Sequence, residues 1–486
     1  GKLLGLDRIP EIQTIRSKIA FMSELKKSGE WSSELSKNWF SEDNEYSGIA
    51  YIDGHVRIYY GSQTKLPRRY SSRLRLCMPG ITDYWVNDVL GRPFFYTSSV
   101  VNNGLIAVMK SEIIPRLKKE IPNQPSDSEL EIKKKLSRFT IVFDREGYSP
   151  EFIYDLFRKE RISCVTYKKY ADEAWPEKEF QKITVQMPHG ENIIMKLAER
   201  ELKLGEFKQK DEPADIFIVR EIRKLTETGH QTSIITSDYI SDMGRLAAVM
   251  FSRWSQENFF KYMMQHFGID RVMEIGIEDV PATKKIVNPE YKKYERMIRT
   301  QNAVLFQKLN RLGEISMEGE PADPKKLEKY IMNKSKISEE IENIKKLLVD
   351  LKEKKKNTEK NILVSELPDT EKFSKLVQEK KHILDLIKMI AYRAETALAS
   401  IIKENMKTTD KEEARSLLQN LYKANVDIFP DYRNKKLYIS VHNLSNESFD
   451  KHARYLFKYL NDSNTVFPDT NLQLVYKLVT DEFPLS

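Results

Sequence analysis

The chain has 486 residues, of which 40% are hydrophobic and 31% charged. That length argues for roughly two to four domains, and the composition excludes a disordered or a membrane-embedded chain. Lys and Arg number 80 against 72 Asp and Glu, a net charge of +8 that permits a nucleic-acid partner without demanding one.

The first five residues, Gly1 to Gly5, lack the apolar stretch of a signal peptide. They also lack an initiator Met, as expected of a fragment or a processed chain. Ile9, Ile12, Ile15, Ile19 and Met22 recur at helical spacing, and Trp31 to Phe40 predicts a second, shorter helix. Residues 1–46 therefore read as an N-terminal helical segment.

The pattern changes near residue 47. Ile49 to Asp53 and Val56 to Tyr60 are β-rich runs around Gly54. Leu74 to Met78 is a further strand candidate, punctuated by Pro79-Gly80. Tyr84 to Val86 and Pro93 to Tyr96 follow, then a helix over 104–119 and a polar loop over 120–130. Phe139 to Phe143 is a short apolar run closed by Asp144, followed by a helix over about 149–160 and a strand at Ser163 to Tyr167. This β-α-β alternation predicts an α/β core with a partly parallel sheet, over 47–174 and 238–287.

Residues 175–237 hold four short strand candidates and read as a β-rich insertion. One helix is expected over 242–267, with Met243, Leu246, Met250, Trp254 and Phe260 near one face. From 288 to 411 the chain is charge-rich and helical. Leu327 to Leu351 carries apolar residues at the spacing of a long helix or short coiled coil, which forms a hairpin with 371–406 or stands as a solvated arm. Residues 412–486 predict a small α+β unit. Cys77 and Cys164 lie in apolar runs without a CxxC pair, so a disulfide framework or zinc site is not expected and a reducing cytoplasm fits.

Two acids close strand candidates: Asp53 after Gly48 to Ile52, and Asp144 after Phe139 to Phe143. A carboxylate at the end of a buried strand is costly unless it is paired or binds a cation, and sites gather at strand ends in α/β sheets. Asp53-Gly54 is also a turn-like dipeptide, and Asp144 also reads as a cap. A third acid, Glu257, shares a helix face with Arg253 at i, i+4, and Lys261 lies one turn on. Read alone, that ladder is a surface ion pair. Arg145, Glu146 and His55 flank the first two acids, and Trp85 and Trp254 are expected in the core. The segment Lys65 to Arg73, with Arg68, Arg69 and Arg73, combines charge with aromatics and suits phosphate contact or a solvated loop.

Taken in order, with a β-rich stretch before the third, these acids resemble the DDE transposases. The likeness covers about residues 45–270 and rests on Tyr51 to His55, Val142 to Gly147 and Arg253 to Lys261. It implies an RNase H-like core with the β-rich insertion between the second and third acids. It implies Asp53 bridging two Mg²⁺ ions (Mn²⁺ substituting), with Asp144 on one and Glu257 on the other. It further implies hydrolysis at transposon ends, strand transfer into target DNA, double-stranded DNA as partner, and a homodimer on paired ends. A prokaryotic, nucleoid-associated setting is expected, and residues 1–46 read as the remnant of an end-recognition domain or as a segment lacking one. The subgroup's signature carries Tyr and Lys where this chain has Met250 and Met264, which leaves Lys261 or His266 as candidate substitutes for the phosphate contacts. Arg253, Lys261, Arg145, His55, Arg68, Arg69 and Arg73 are the candidate DNA-binding residues. A structure-specific nuclease on the same core and an inactive, domesticated DNA-binding protein are the competing readings.

Overall fold

The computed structural model describes residues 10–42, 48–61, 66–71, 74–99, 104–169, 173–188, 190–208, 213–270, 277–279, 285–318, 323–367, 374–376, 378–406, 411–444 and 447–481. Two helices open the chain, α1 (Ile12–Glu24) and α2 (Ser28–Glu42), the second burying Trp39 and Phe40. Then come β1 (Ile49–Ile58), β2 (Arg68–Ser71), β3 (Leu76–Asn87) and β4 (Pro93–Ser99). Next are α3 (Leu105–Val108), a π-helical turn, α4 (Ile114–Glu120) and α5 (Asp127–Ile132). The alternating stretch follows as β5 (Thr140–Phe143), α6 (Pro150–Arg158) and β6 (Ser163–Tyr167). The start of α6 is set locally: Ser149 accepts a hydrogen bond from the Phe152 N–H at 3.3 Å, and Pro150 occupies the first turn.

Four strands come next: β7 (Gln181–Gln186), β8 (Asn192–Phe207), β9 (Asp215–Leu225) and β10 (Gln231–Thr236). They precede α7 (Met243–Phe251) and α8 (Trp254–Tyr262). The C-terminal half holds β11 (Ile277–Asp279), β12 (Lys285–Val287), α9 (Pro289–Glu318), α10 (Pro324–Asn357), β13 (Asn361–Leu363), β14 (Ser374–Leu376) and α11 (Glu379–Met406). It ends in α12 (Lys411–Lys423), β15 (Val426–Asp431), β16 (Lys436–Val441), α13 (Glu447–Asp462) and β17 (Gln473–Leu478).

Among the described residues ten strands form one mixed sheet, ordered β2-β3-β1-β5-β6-β10-β9-β8-β7, with β4 also paired to β3. β1, β5 and β6 run parallel at its centre, and β1 and β3 pair antiparallel. The central strands are buried on both faces: all four residues of β5 and the first four of β1 are enclosed. One face packs Ala50, Ile52, Ile141 and Phe143 against α3, α4 and α6. The other packs Tyr51, Val142 and Val165 against Leu246, Val249 and Met250 of α7. The β-rich stretch continues the sheet, because β10 pairs antiparallel with β6. A separate three-stranded sheet, β15-β16-β17, packs with α12 and α13 near the C-terminus. No described helix is long and apolar enough to cross a membrane.

Several expectations change. The runs around Gly54 are one continuous strand, so Asp53 lies within β1 and not at its end. Pro79-Gly80 does not break β3; a side chain at Gly80 would meet the Arg57 carbonyl at 2.4 Å, so the neighbouring backbone needs glycine there. The helix expected over 242–267 is two helices broken at Ser252-Arg253. The long helical hairpin pairs α9 with α10, whereas α11 packs against α1, α2, α12 and α13. Trp85 is in the core at 1% exposure, but Trp254 is 53% exposed.

A buried charge network fastens α11 to the central sheet. The Arg57 guanidinium pairs with the Asp83 carboxylate, and both side chains are almost wholly enclosed. Ser98 Oγ donates to Asp83 at 2.6 Å, and Arg57 Nη2 donates to Gln378 Oε1 at 3.1 Å, just ahead of α11. Lys381 and Lys388 of α11 both pair with the buried Asp385. Burial alone raises the pKa of Asp83, but Arg57 and then Lys381 outweigh it and hold it below the usual aspartate value. The stability this carries is present above the unfolded aspartate value near 3.9 and is lost as pH falls through the lower folded value. Asp83→Asn leaves Arg57 uncompensated in the interior and should cost about 3–5 kcal/mol. Thermal denaturation at neutral pH should show the loss, and the double variant Asp83→Leu with Arg57→Met should recover much of it.

Candidate active site

The parallel ladder between β1 and β5 ends at the Ile52–Phe143 pair, and that between β5 and β6 ends at Phe143–Thr166. The next residue on each strand is Asp53, Asp144 and Tyr167. Register therefore sets these three in a row where the parallel pairing stops. Neither acid's neighbour in sequence brings them together; the sheet does.

Arg253 closes over this row from α8. Its Nη2 donates to Asp53 Oδ2 at 2.9 Å, and its Nη1 lies 3.5 Å from Asp144 Oδ2. Each aspartate also takes a backbone donor through its other oxygen: Gly54 N–H at 2.9 Å for Asp53, Arg145 N–H at 2.6 Å for Asp144. Burial raises the pKa of Asp53, Arg253 and the Gly54 N–H lower it, Asp144 raises it again, and the net direction is up. For Arg253, burial opposes the charge, yet the two aspartates more than offset it and the pKa rises.

α8 is held in place by three contacts to the β3–β4 turn. Ser255 Oγ donates to the Val89 carbonyl at 3.0 Å, and Gln256 Nε2 donates to Asn87 Oδ1 at 2.9 Å. Gly91, at φ +83°, lets the turn pass so close that a side chain there would meet the Ser255 carbonyl at 2.7 Å.

The remaining candidates separate. Glu257 is exposed and makes no hydrogen bond or ion pair with a described residue; its charge is felt at Tyr167, which Asp144 and Arg145 also flank. Arg253 caps the start of the helix that carries Glu257 and turns to the aspartates instead. Arg145 is exposed and stands 5.6 Å from the centre of the Tyr167 ring. Lys261 is exposed one turn beyond Glu257. His55 stacks on Phe260 with ring centres 5.2 Å apart, a packing role beside the row. Arg68 is exposed on β2; Arg69 is buried, with Nη2 donating to the Ser99 carbonyl at 3.0 Å. Arg73 lies outside the described residues. Met250 is fully buried on α7, and Met264 packs partly against the core. His266 is exposed, its ring 4.3 Å from that of Tyr262.

Two residues gain weight that their sequence context does not give them. Tyr167 is a plain strand residue in sequence; only the register of β5 and β6 signals its place. Glu146 is exposed along its length, yet its pKa is raised, first by loss of hydration around it and then through repulsion by Asp53, with Asp144 adding to it, while the Leu105 N–H and Arg69 pull it down. It thus belongs electrostatically to the aspartate pair.

Adjacent aspartates sharing one guanidinium form a hard-oxygen donor pair, the chemistry a divalent cation such as Mg²⁺ takes. Among the described residues, no three His, Cys, Asp or Glu side chains are gathered closely enough to hold an ion as they stand.

The family model described as "Transposase protein" matches residues 1–480. The chain belongs to this transposase family. No curated protein matches it. Among solved structures, the cryo-EM structure of a piggyBac transposase synaptic complex with hairpin DNA is similar at 11% identity and a TM-score of 0.28. The match covers 52% of this chain and 48% of that one, so it spans about half the length of that transposase.

Asp53 supplies a test of the site's electrostatics. Because its folded pKa is raised, the folded state holds its proton more tightly than the unfolded chain. Stability is then lost as pH rises from the unfolded aspartate value near 3.9 through the folded value. In metal-free buffer, Asp53→Asn should melt at a higher temperature than the parent at neutral pH. The gain should disappear near pH 4, as differential scanning fluorimetry across pH would read.

Proposed function

We propose that this transposase is a DDE-type DNA endonuclease and strand transferase on an RNase H-like core, with Asp53 and Asp144 as its central catalytic acids. The observation that carries the reading is the side-by-side placement of Asp53 and Asp144 at the end of the β1–β5 ladder, bridged by Arg253. The central strand order supports it: β4-β3-β1-β5-β6, with β1, β3 and β4 antiparallel and β5 and β6 parallel to β1.

Asp53 and Asp144 would hold Mg²⁺, with Mn²⁺ as a substitute, and one further acid would complete the set. Two such ions held there would supply Lewis-acid activation of a water and charge stabilisation for an in-line displacement. In the first step a water oxygen bonds to phosphorus and the P–O3′ bond breaks, leaving a 3′-OH on the element's end. In the second that 3′-OH attacks a target phosphorus, and the target's own P–O3′ bond breaks. The number of phosphodiester bonds is conserved in the second step, so no external energy source is required.

The chain's own side chains account for the rest. Arg253 offsets one charge of the acid pair in the free protein and offers its guanidinium to a phosphate as the acids take another cation. Arg145, exposed beside the row, and Lys261, exposed further along α8, suit non-bridging phosphate oxygens. Double-stranded DNA, as element ends and target, is the partner, with a homodimer on paired ends as the working assembly.

The third acid has two candidates. Glu257 follows from the order of the motifs, and Glu146 is favoured by its electrostatic coupling to both aspartates. Cleavage of a labelled duplex carrying the element's own end separates them. Metal-dependent nicking should fall by at least about a hundredfold in Asp53→Ala and Asp144→Ala while binding persists, a loss of roughly 2.7 kcal/mol or more in barrier lowering. A similar fall in Glu257→Ala but not Glu146→Ala assigns Glu257, and the reverse assigns Glu146. Nicking that survives loss of either aspartate would overturn the reading.

A further inference from the structure

Away from the aspartates, the base of the α9–α10 hairpin holds a cleft of about 570 Å³ lined by Tyr291, Ile298, Lys352, Lys355, Lys356, Thr358 and Lys360. β12 pairs antiparallel with β13 at this end of the hairpin, and Lys308 pairs with Glu340 across the two helices further along at 2.6 Å. Lys352, Lys355 and Lys356 fall at i, i+3 and i+4, so α10 presents them on one face. Lys355 is spoken for: it pairs with Glu295 at 3.1 Å and lies 4.8 Å above the Tyr291 ring. Lys352, Lys356 and Lys360 are exposed and make no ion pair with a described residue. The nearby acids do not line the cleft: Asp350 pairs with Lys354 at 2.7 Å, and Glu353 and Glu359 face solvent.

Lys292, next to Tyr291, is a further exposed cation at this end of the hairpin, and loss of hydration and then the charge of Arg69 lower its pKa while Glu295 raises it. Arg69 in turn interacts with Glu146, which interacts with Asp53 and Asp144. Cations gathered with too few carboxylates are unfavourable until an anion joins them. Regularly spaced lysines beside an aromatic ring match a phosphodiester backbone, which carries one charge per repeat and no fixed orientation requirement.

We propose that the Lys352–Lys356–Lys360 cleft is a second DNA-contact site, one that grips the phosphate backbone of duplex DNA flanking the segment at the carboxylates. The proposal rests on the DNA-cutting reading above only for the identity of the polyanion. The contact is sequence-independent, so it adds affinity and orientation and leaves recognition of the element's end to other residues.

The test is fluorescence anisotropy of the full chain with a labelled random-sequence duplex, in EDTA, over a series of salt concentrations. The triple variant Lys352→Ala, Lys356→Ala, Lys360→Ala should weaken binding by about tenfold or more. Its log Kd against log salt slope should fall by roughly 0.9 for each phosphate that the variant no longer neutralises. The matching triple Lys→Arg variant should retain both affinity and slope, and unchanged circular dichroism excludes unfolding as the cause. If the triple Ala variant binds as tightly as the parent with the same slope, the cleft is not a DNA site, whatever the cleavage assay gives. If affinity and slope fall while the intact chain shows no metal-dependent nicking, the cleft stands and the reading of the carboxylates fails.

Discussion

Two carboxylates fixed at neighbouring ladder ends repel each other, and partial burial removes much of the water that would screen them. Asp53 and Asp144 are in that position, because parallel pairing of β1 and β5 leaves neither strand free to move its acid away. A cation between them relieves that repulsion, and in the free transposase it is the guanidinium of Arg253. Arg253 reaches the aspartates from the break between α7 and α8, three residues after Met250, which packs with Val142 and Val165.

The same constraint propagates outward. Arg253 is only as well placed as α8, and α8 is held by Ser255 and Gln256 on the β3–β4 turn, where Gly91 permits the close approach. β3 in turn carries Asp83, which joins Arg57 of β1 and lies within reach of Lys381 on α11. Arg57 pairs with Asp83 inside the sheet and Lys381 with Asp385 inside α11, and the two pairs are linked by the Arg57 bond to Gln378 and by the pull of Lys381 on Asp83. Hydrophobic contact reinforces the junction: Leu386, Met389 and Tyr392 of α11 belong to the same core as Trp85 and Phe259. The residues that carry chemistry and the residues that carry the fold are thus two ends of one chain of contacts.

Much of this is legible in the sequence. The β-α-β alternation, the apolar runs ending at Ile52 and Phe143, and the acids just beyond them follow from period and composition, which local backbone preferences enforce. Other features are not. Gly54 and Pro79-Gly80 carry the local signature of turns, yet both lie inside strands, since the pairing of β1 with β3 outweighs local preference. Arg69 has the sequence context of a phosphate-binding loop residue and is instead buried beneath the sheet edge, bonded to Ser99.

The sequence by itself determined that an α/β unit would carry carboxylates just past the apolar runs of its central strands, because hydrophobic period and the cost of a buried charge are local properties. It also determined the charge-rich helices of the C-terminal half. Only the tertiary structure decided which groups meet. Arg253 is 200 residues from Asp53 and four from Glu257, yet it bonds the aspartate. Tyr167 and Glu146 join the acids through sheet register and a strand-end turn, and the hairpin partner of α10 is α9 and not α11. Such choices depend on the packing of distant segments, and no spacing along the chain encodes a packing partner.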